Sequence, residues 1–273
     1  MNRLFKILTF ACLTLTAIGL RAERPADLSQ ESKVAKKKNR IDLGVGLEHF
    51  NYRNETAPTI YLQYIRSTPR QYYLLGRFEY VDRFNDRAFS TTLGGGYFVH
   101  PKLLLSDEIS FAPGTQVLPK FQNQFEVMTL LPHGFTPYLR YEFKLYDDIQ
   151  LHRITPGISW YLSDWGIFDL NYSASINSFE RLPDHPVDHG FSSRMTLIPI
   201  EDKLKFFVFY GWSQESFEVE NPQRYNQFNA HHFGGGFEWV IVRQVGLNFY
   251  FEQERRNNKQ TVNRYGAGVF YRF

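Results

Sequence analysis

Cysteine is nearly missing from this chain: Cys12 stands alone, inside an apolar run near the N-terminus. Neither a disulfide framework nor a paired-thiol centre can be built from it. Long hydrophobic runs are missing after that first segment, so no later stretch is expected to span a membrane as a helix. A charge excess is missing too. The formal charge is +3, and removing Arg3, Lys6 and Arg21 with the first 22 residues brings it to zero. That balance leaves no basic footprint for nucleic acid, which is not expected as a partner. The glycine triplets of TTLGGGYFV and HHFGGGFEWV lack a following GK[ST] and a helix start, so a phosphate-cradling loop is set aside.

What is present begins with MNRLFKILTFACLTLTAIGLRA, in which Arg3 and Lys6 precede an apolar run and then small residues. That is the build of a secretory signal peptide, expected over residues 1–22. Residues 23–39 are polar and charged, with Lys36, Lys37 and Lys38 clustered, and read as a flexible periplasmic tail. The aromatic content is 17%, yet the mean hydropathy is −0.39. An exported, aromatic-rich and only half-apolar chain fits a membrane β-barrel, whose strands show one apolar and one polar face.

From residue 40 to 273 alternation with period two dominates. In FTPYLRYEFKLYDD, Phe135, Leu139, Tyr141 and Phe143 share one face, and Tyr138, Arg140, Glu142 and Lys144 the other. Phe168, Leu170, Tyr172 and Ile176 repeat the pattern, as do Val245, Leu247, Phe249 and Phe251. Connections alternate between short ones (STPR, HPK, SDWG) and longer ones (PGTQVLP, RLPDHPVDHG, VENPQRYNQFN). The expected fold is all-β: a transmembrane antiparallel up-and-down β-barrel of about fourteen strands, with twelve as the alternative because Asp147-Asp148 is a short turn for its set. The glycine triplets fall inside strands, where Gly94, Gly96, Gly234 and Gly236 face the lumen and leave room for large neighbours. The last strand, RYGAGVFYRF, resembles the terminal strand read by the outer-membrane barrel assembly machinery, carried here by Gly268, Tyr271 and Phe273.

The inward face is rich in charge of both signs. Binding candidates on it are Glu48, Arg77, Glu79 and Arg83, with Arg140, Glu142, Lys144 and Arg153 further along. Two readings stand: a salt-bridged interior that fills the barrel, or a polar surface where these groups and Tyr61, Tyr73, Tyr138 and Tyr161 meet a sugar. DHPVDH, residues 184–189, brings Asp and His together but reads as an exposed turn, so no metal and no cofactor is expected. His152, His231, His232 and Ser213 offer parts of a hydrolase, yet no nucleophile motif surrounds any serine. The expectation is a protein without enzymatic activity.

Several short motifs occur in a fixed order: LGVGLEHF, then Arg83-Phe84-x-Asp86 leading into TTLGGGYFV, then SFAPGTQVLP with Pro113 and Pro119. LRYEFKLYDD with Tyr146 follows, and then ITPGISWYL with Pro156, Gly157 and Tyr161. By these the chain resembles the YaiO-type outer-membrane β-barrel proteins. The resemblance implies an outer-membrane location, contact with outer-membrane lipids, and a link to export or handling of surface polysaccharide. It supplies no catalytic residues. The expected protein is therefore a monomeric envelope barrel associated with polysaccharide. A passive channel for small hydrophilic solutes and an outer-membrane lipid hydrolase are the alternatives.

Overall fold

Alternating side chains leave every second residue on the same face, and a sheet with one apolar face and one polar face closes most simply on itself. The computed structural model describes residues 38–84, 86–180, 185–219 and 224–273, and side chains 217–226 are not described. The expected signal peptide, the tail up to residue 37, and Asp184 of the candidate metal loop lie outside the described residues.

Fourteen strands follow in chain order. They are β1 (Lys38–Phe50), β2 (Glu55–Thr68), β3 (Tyr72–Arg83), β4 (Asp86–His100), β5 (Leu103–Phe111), β6 (Phe121–Thr129) and β7 (Phe135–Leu145). Then come β8 (Ile149–Leu162), β9 (Gly166–Phe179), β10 (Val187–Ile200), β11 (Leu204–Val219), β12 (Arg224–Val242), β13 (Val245–Arg256) and β14 (Thr261–Arg272). Each pairs antiparallel with its chain neighbours, and β1 closes on β14. Among the described residues the only helical element is a 3-10 turn, Pro132–Gly134. The fourteen-strand count holds because Tyr146 N–H donates to Ile149 O at 2.9 Å, so a tight turn suffices at Asp147-Asp148. The even count puts both ends of the barrel chain at one mouth, here the terminal mouth; the opposite one is the far mouth.

Two expected boundaries move. The wall begins at Lys38, within the expected tail. The loops expected at 181–190 and 219–229 are shorter, because β10 starts at Val187 and the β11–β12 ladder runs out to Val219 and Arg224. Polar side chains do not stop these strands, since the ladder satisfies backbone groups in or out of the membrane.

The apolar rows face outward as expected. Leu93 and Val208 are each 63% exposed. Such a surface is an aggregation liability in water and a solvent-matched one in lipid. Tyr97, Trp160, Trp239 and Tyr271 ring the terminal side, and Phe89, Phe111 and Tyr141 stand toward the far side. Aromatic girdles at both interfaces are a mark of membrane barrels.

Glycine has a defined place inside. Four lumenal tyrosines lie against glycines directly opposite on the next strand: Tyr61 against Gly44, Tyr73 against Gly96, Tyr138 against Gly157 and Tyr250 against Gly266. A Cβ at any of the four would run into the ring. The wall is thus thinned under each ring, and the ring covers the gap. Gly94 makes room for Glu108, while Gly234 and Gly236 sit against the backbone of Phe251 and Phe249 and the rings of Phe209 and Phe207.

Candidate functional site: the lumenal chamber

The lumen is neither an open pipe nor a uniform core. At the far mouth a buried apolar cluster joins hairpin tips from five places: Phe50 and Ala57, Phe84 and Ala88, Val117 and Leu118, Tyr146, and Val262. The β5–β6 loop supplies its centre. Asp86 pins that loop, accepting from the Thr115 hydroxyl at 3.0 Å and from Gln116 N–H at 2.8 Å. Val117 N–H in turn donates to Thr115 Oγ1 at 3.0 Å, which turns Val117 and Leu118 inward. A loop that reads in sequence as an outer connection is therefore a roof. Tyr146, in the β7–β8 turn, is buried there, and burial pushes its phenol pKa up, so it stays neutral.

At the terminal mouth a second buried cluster holds Tyr73, Phe98, Leu104, Met128 and Tyr138. Across from it, Phe270 lies beneath the guanidiniums of Arg40 at 4.1 Å and Arg272 at 4.9 Å. Glu238 bridges those two arginines, with Arg40 at 2.7 Å.

Between the two ends lies a cavity of about 300 Å³. Ala112 and Leu118 of the roof and Tyr73 of the lower cluster all reach its wall. Much of the lining is neutral and polar, including Gln63, Gln122, Gln124, Asn171 and several serines. Six of the eight sequence candidates line it: Arg77, Glu79, Arg140, Glu142, Lys144 and Arg153. Arg77 pairs with Glu79 at 2.7 Å and lies over the Tyr61 ring at 4.8 Å. Arg140 pairs with Glu126 at 2.8 Å. Glu142 holds Lys144 at 3.2 Å and Arg153 at 3.4 Å.

The other two candidates, Glu48 and Arg83, face inward but are buried in a separate ionic network by the roof. Glu48 is bound by Arg83 and by Arg264, the latter at 3.0 Å. Arg264 also reaches Glu252 at 2.8 Å and Glu254 at 2.7 Å. Charges this deep are tolerated only when paired. The charged interior thus divides into a packed network near the roof and a polar chamber below it.

The histidines separate by strand parity. His152 and His231 point outward, hydrogen-bonded to Tyr141 at 2.8 Å and Tyr210 at 2.9 Å. His49 also sits on the outer row, 3.4 Å from Thr56 Oγ1. His232 faces the lumen, 3.2 Å from Ser213 Oγ. In the candidate metal loop Asp188 and His189 fall on opposite faces: Asp188 binds Asn177, Ser216 and Gln227, and His189 binds Tyr172. No group of metal-binding side chains occurs among the described residues.

Sequence reading missed the roof, because Phe84, Val117 and Leu118 sit in or beside turns where period two lapses. The available signal was apolar residues inside a connection that should be polar. The glutamines and serines of the chamber were legible by parity alone.

Solved structures share this architecture. The CymD monoaromatic hydrocarbon channel matches with a TM-score of 0.57 and 9% identity, covering 87% of this chain and 88% of that one. OccK7 of Pseudomonas aeruginosa matches with a TM-score of 0.53 and 8% identity, covering 89% of this chain and 99% of the other. OmpT of Vibrio cholerae, an outer membrane protein, gives 0.50 and 9% over 89% and 99%. At such identities the likeness is one of fold. No curated protein matches the chain in sequence. The YaiO membrane beta barrel domain matches residues 38–178, from the first strand through the ninth. Several of the short motifs named above meet at the roof, where Arg83 holds Glu48, Phe84 and Tyr146 pack, and Asp86 pins the loop between Pro113 and Pro119, while ITPGISWYL lies toward the terminal mouth. The chain is an outer-membrane β-barrel and belongs to the YaiO family.

Proposed function

We propose that this barrel serves the handling of surface polysaccharide, holding a short hydrophilic carbohydrate segment in its lumenal chamber. The observation that carries the reading is a polar chamber of about 300 Å³ set between apolar clusters at the two ends of the lumen. A small-ligand site has that scale and places a few oriented polar groups among aromatic walls. Gln122, Gln124 and Asn171 offer both donors and acceptors to hydroxyl groups, and Arg140 and Arg153 offer charged donors. Tyr73 and Tyr250 present ring surface.

The test is planar-bilayer conductance of the refolded protein, with heat-modifiable gel mobility as the check of folding, alongside calorimetric titration with envelope glycan fragments. The expected outcome is no steady conductance and saturable glycan binding that Arg140→Gln weakens. Steady openings in the unaltered barrel would instead favour passage of small solutes and remove this reading.

A further inference from the structure

Three neighbouring strands place a serine, a histidine and a carboxylate on the same lumenal patch. In the ladders, Ser213 of β11 stands opposite Ala230 and His232 of β12 opposite Gly211, so Ser213 and His232 are diagonal neighbours. His232 stands opposite Glu254 and Glu252 of β13 opposite Gly234, so His232 and Glu252 are diagonal neighbours as well. Ser213 Oγ lies 3.2 Å from His232 Nε2. On the far side of the ring, His232 Nδ1 lies 3.5 Å from Glu252 Oε1. His232 is 1% exposed, and its Nδ1 has no hydrogen-bond partner at this spacing. Ser213 and His232 both line the chamber.

The chemistry of the three groups fixes their roles. Arg264 donates to Glu252 Oε1 at 2.8 Å, and a carboxylate so held accepts hydrogen bonds rather than donating them. It therefore selects the imidazole tautomer with its proton on Nδ1 and leaves Nε2 to accept from the Ser213 hydroxyl. That is the division of labour of a Ser–His–acid triad, which is recognised by geometry and roles rather than by sequence order. Contacts in such a centre are commonly looser without substrate. Glycine or alanine at 190, 211, 230 and 234 keeps side-chain bulk away from the patch. Arg153 lines the same chamber three strands away: Ser213 is opposite Gly190, Gly190 is opposite Ser173, and Arg153 is opposite Ser175. Its Nε has no hydrogen-bond partner.

We infer that the chamber carries an ester-hydrolysing centre, with Ser213 as nucleophile, His232 as general base and acid, and Glu252 as positioning residue. Its substrates are carboxylic esters of hydrophilic alcohols small enough to enter the lumen. Ser213 Oγ forms a bond to the ester carbonyl carbon while its proton passes to His232 Nε2. The carbonyl electrons collect on oxygen and return to carbon as the adduct collapses. Collapse breaks the bond to the alcohol, which leaves with the proton from Nε2. Water then attacks the acyl-serine, giving its proton to Nε2, and Ser213 recovers it as the carboxylic acid departs. The inference needs only that a small ester reaches the chamber, so it stands apart from the identity of any glycan.

The test treats the refolded, heat-modifiable full barrel with diisopropyl fluorophosphate, maps the adduct by mass spectrometry, and follows hydrolysis of 4-nitrophenyl acetate. The expected result is one adduct, on Ser213, absent in Ser213→Ala and formed about 10²–10⁴-fold more slowly in His232→Ala. Glu252→Gln should lower kcat and leave KM unchanged, with part of the loss restored in Glu252→Asp. Ser213→Ala removes a single oxygen and decides the matter if the His232 variant does not fold. A folded parent protein without an adduct, an adduct on another residue, or hydrolysis retained in Ser213→Ala would overturn the inference.

Discussion

Arg264 sets one guanidinium against three buried carboxylates, Glu48, Glu252 and Glu254. Removing one partner from such a group leaves charge buried without compensation, which costs about 3–5 kcal/mol, far more than the net worth of the intact pair. Arg264→Gln is therefore expected to lower the unfolding free energy of the refolded barrel, read from urea denaturation, by that order. Arg87→Gln is the control: Arg87 is largely exposed, its Asp82 contact is 3.3 Å long, and no measurable change is expected. Equal effects of the two changes would show that burial is not what makes the network matter. Gly266→Val tests the ring-over-glycine pairing. Its side chain would enter the Tyr250 ring, which must swing off the wall, for a cost of about 1–3 kcal/mol. An unchanged midpoint would refute that packing. At this scale the sequence told which residues face inward, because parity alone decides it. It did not tell which inward charges meet. Glu48 and Arg83 look like Arg77 and Glu79 in a list of lumenal charges, yet the first two are sealed beneath the roof and the second two line a cavity. Nor could it join Ser213 to His232, since that contact depends on the register of β11 against β12.

Strands were the most legible elements, since an alternating row of Phe, Leu and Tyr has only one stable orientation once lipid is outside. Their ends were not, because ladders run on past the membrane wherever two strands continue to face each other; β11 and β12 do so out to Val219 and Arg224. Hairpin tips failed for a different reason. Apolar residues there answer to one another across the mouth rather than to lipid, a long-range contact with no period to betray it. The closing seam shows how an element can serve two purposes. Backbone bonds join Asn39 and Phe273 in both directions at 2.9 Å, and they do not depend on the Phe273 side chain. That ring lies on the outer surface, 5.6 Å from the Tyr271 ring. If the terminal strand is read by assembly machinery through its aromatic row, Phe273→Ala should reduce the amount of barrel in the outer-membrane fraction while leaving the refolded protein's unfolding free energy within about 0.5 kcal/mol, as for an ordinary surface change. Loss of stability in the refolded variant, or normal assembly in cells, would count against a recognition role.

For the whole molecule the decisive feature is where the lumen is apolar. A wall of alternating charge would by itself suggest a water-filled passage, but the barrel places apolar clusters near both mouths, the terminal one beside the Arg40–Glu238–Arg272 group, with a polar chamber between them. Dry constrictions resist ions because water must leave them, whereas charged walls alone do not. The β5–β6 loop is the part of the far barrier that can be removed without cutting a strand, since residues 112–120 lie between β5 and β6. Replacing residues 113–119 with a glycine–serine segment of equal length would take away Val117, Leu118 and the Thr115 anchor on Asp86 together. The resulting barrel should still shift on heating in a gel, and should show steady conductance in a planar bilayer where the parent is expected to show none. Asp86→Ala, which leaves the apolar side chains in place but frees the loop, should give intermittent openings between those extremes. A folded loop variant that stays silent would place the barrier in the Glu48–Arg264 network or at the terminal mouth instead, and the roof would then be a stabilising cap with no part in access to the chamber.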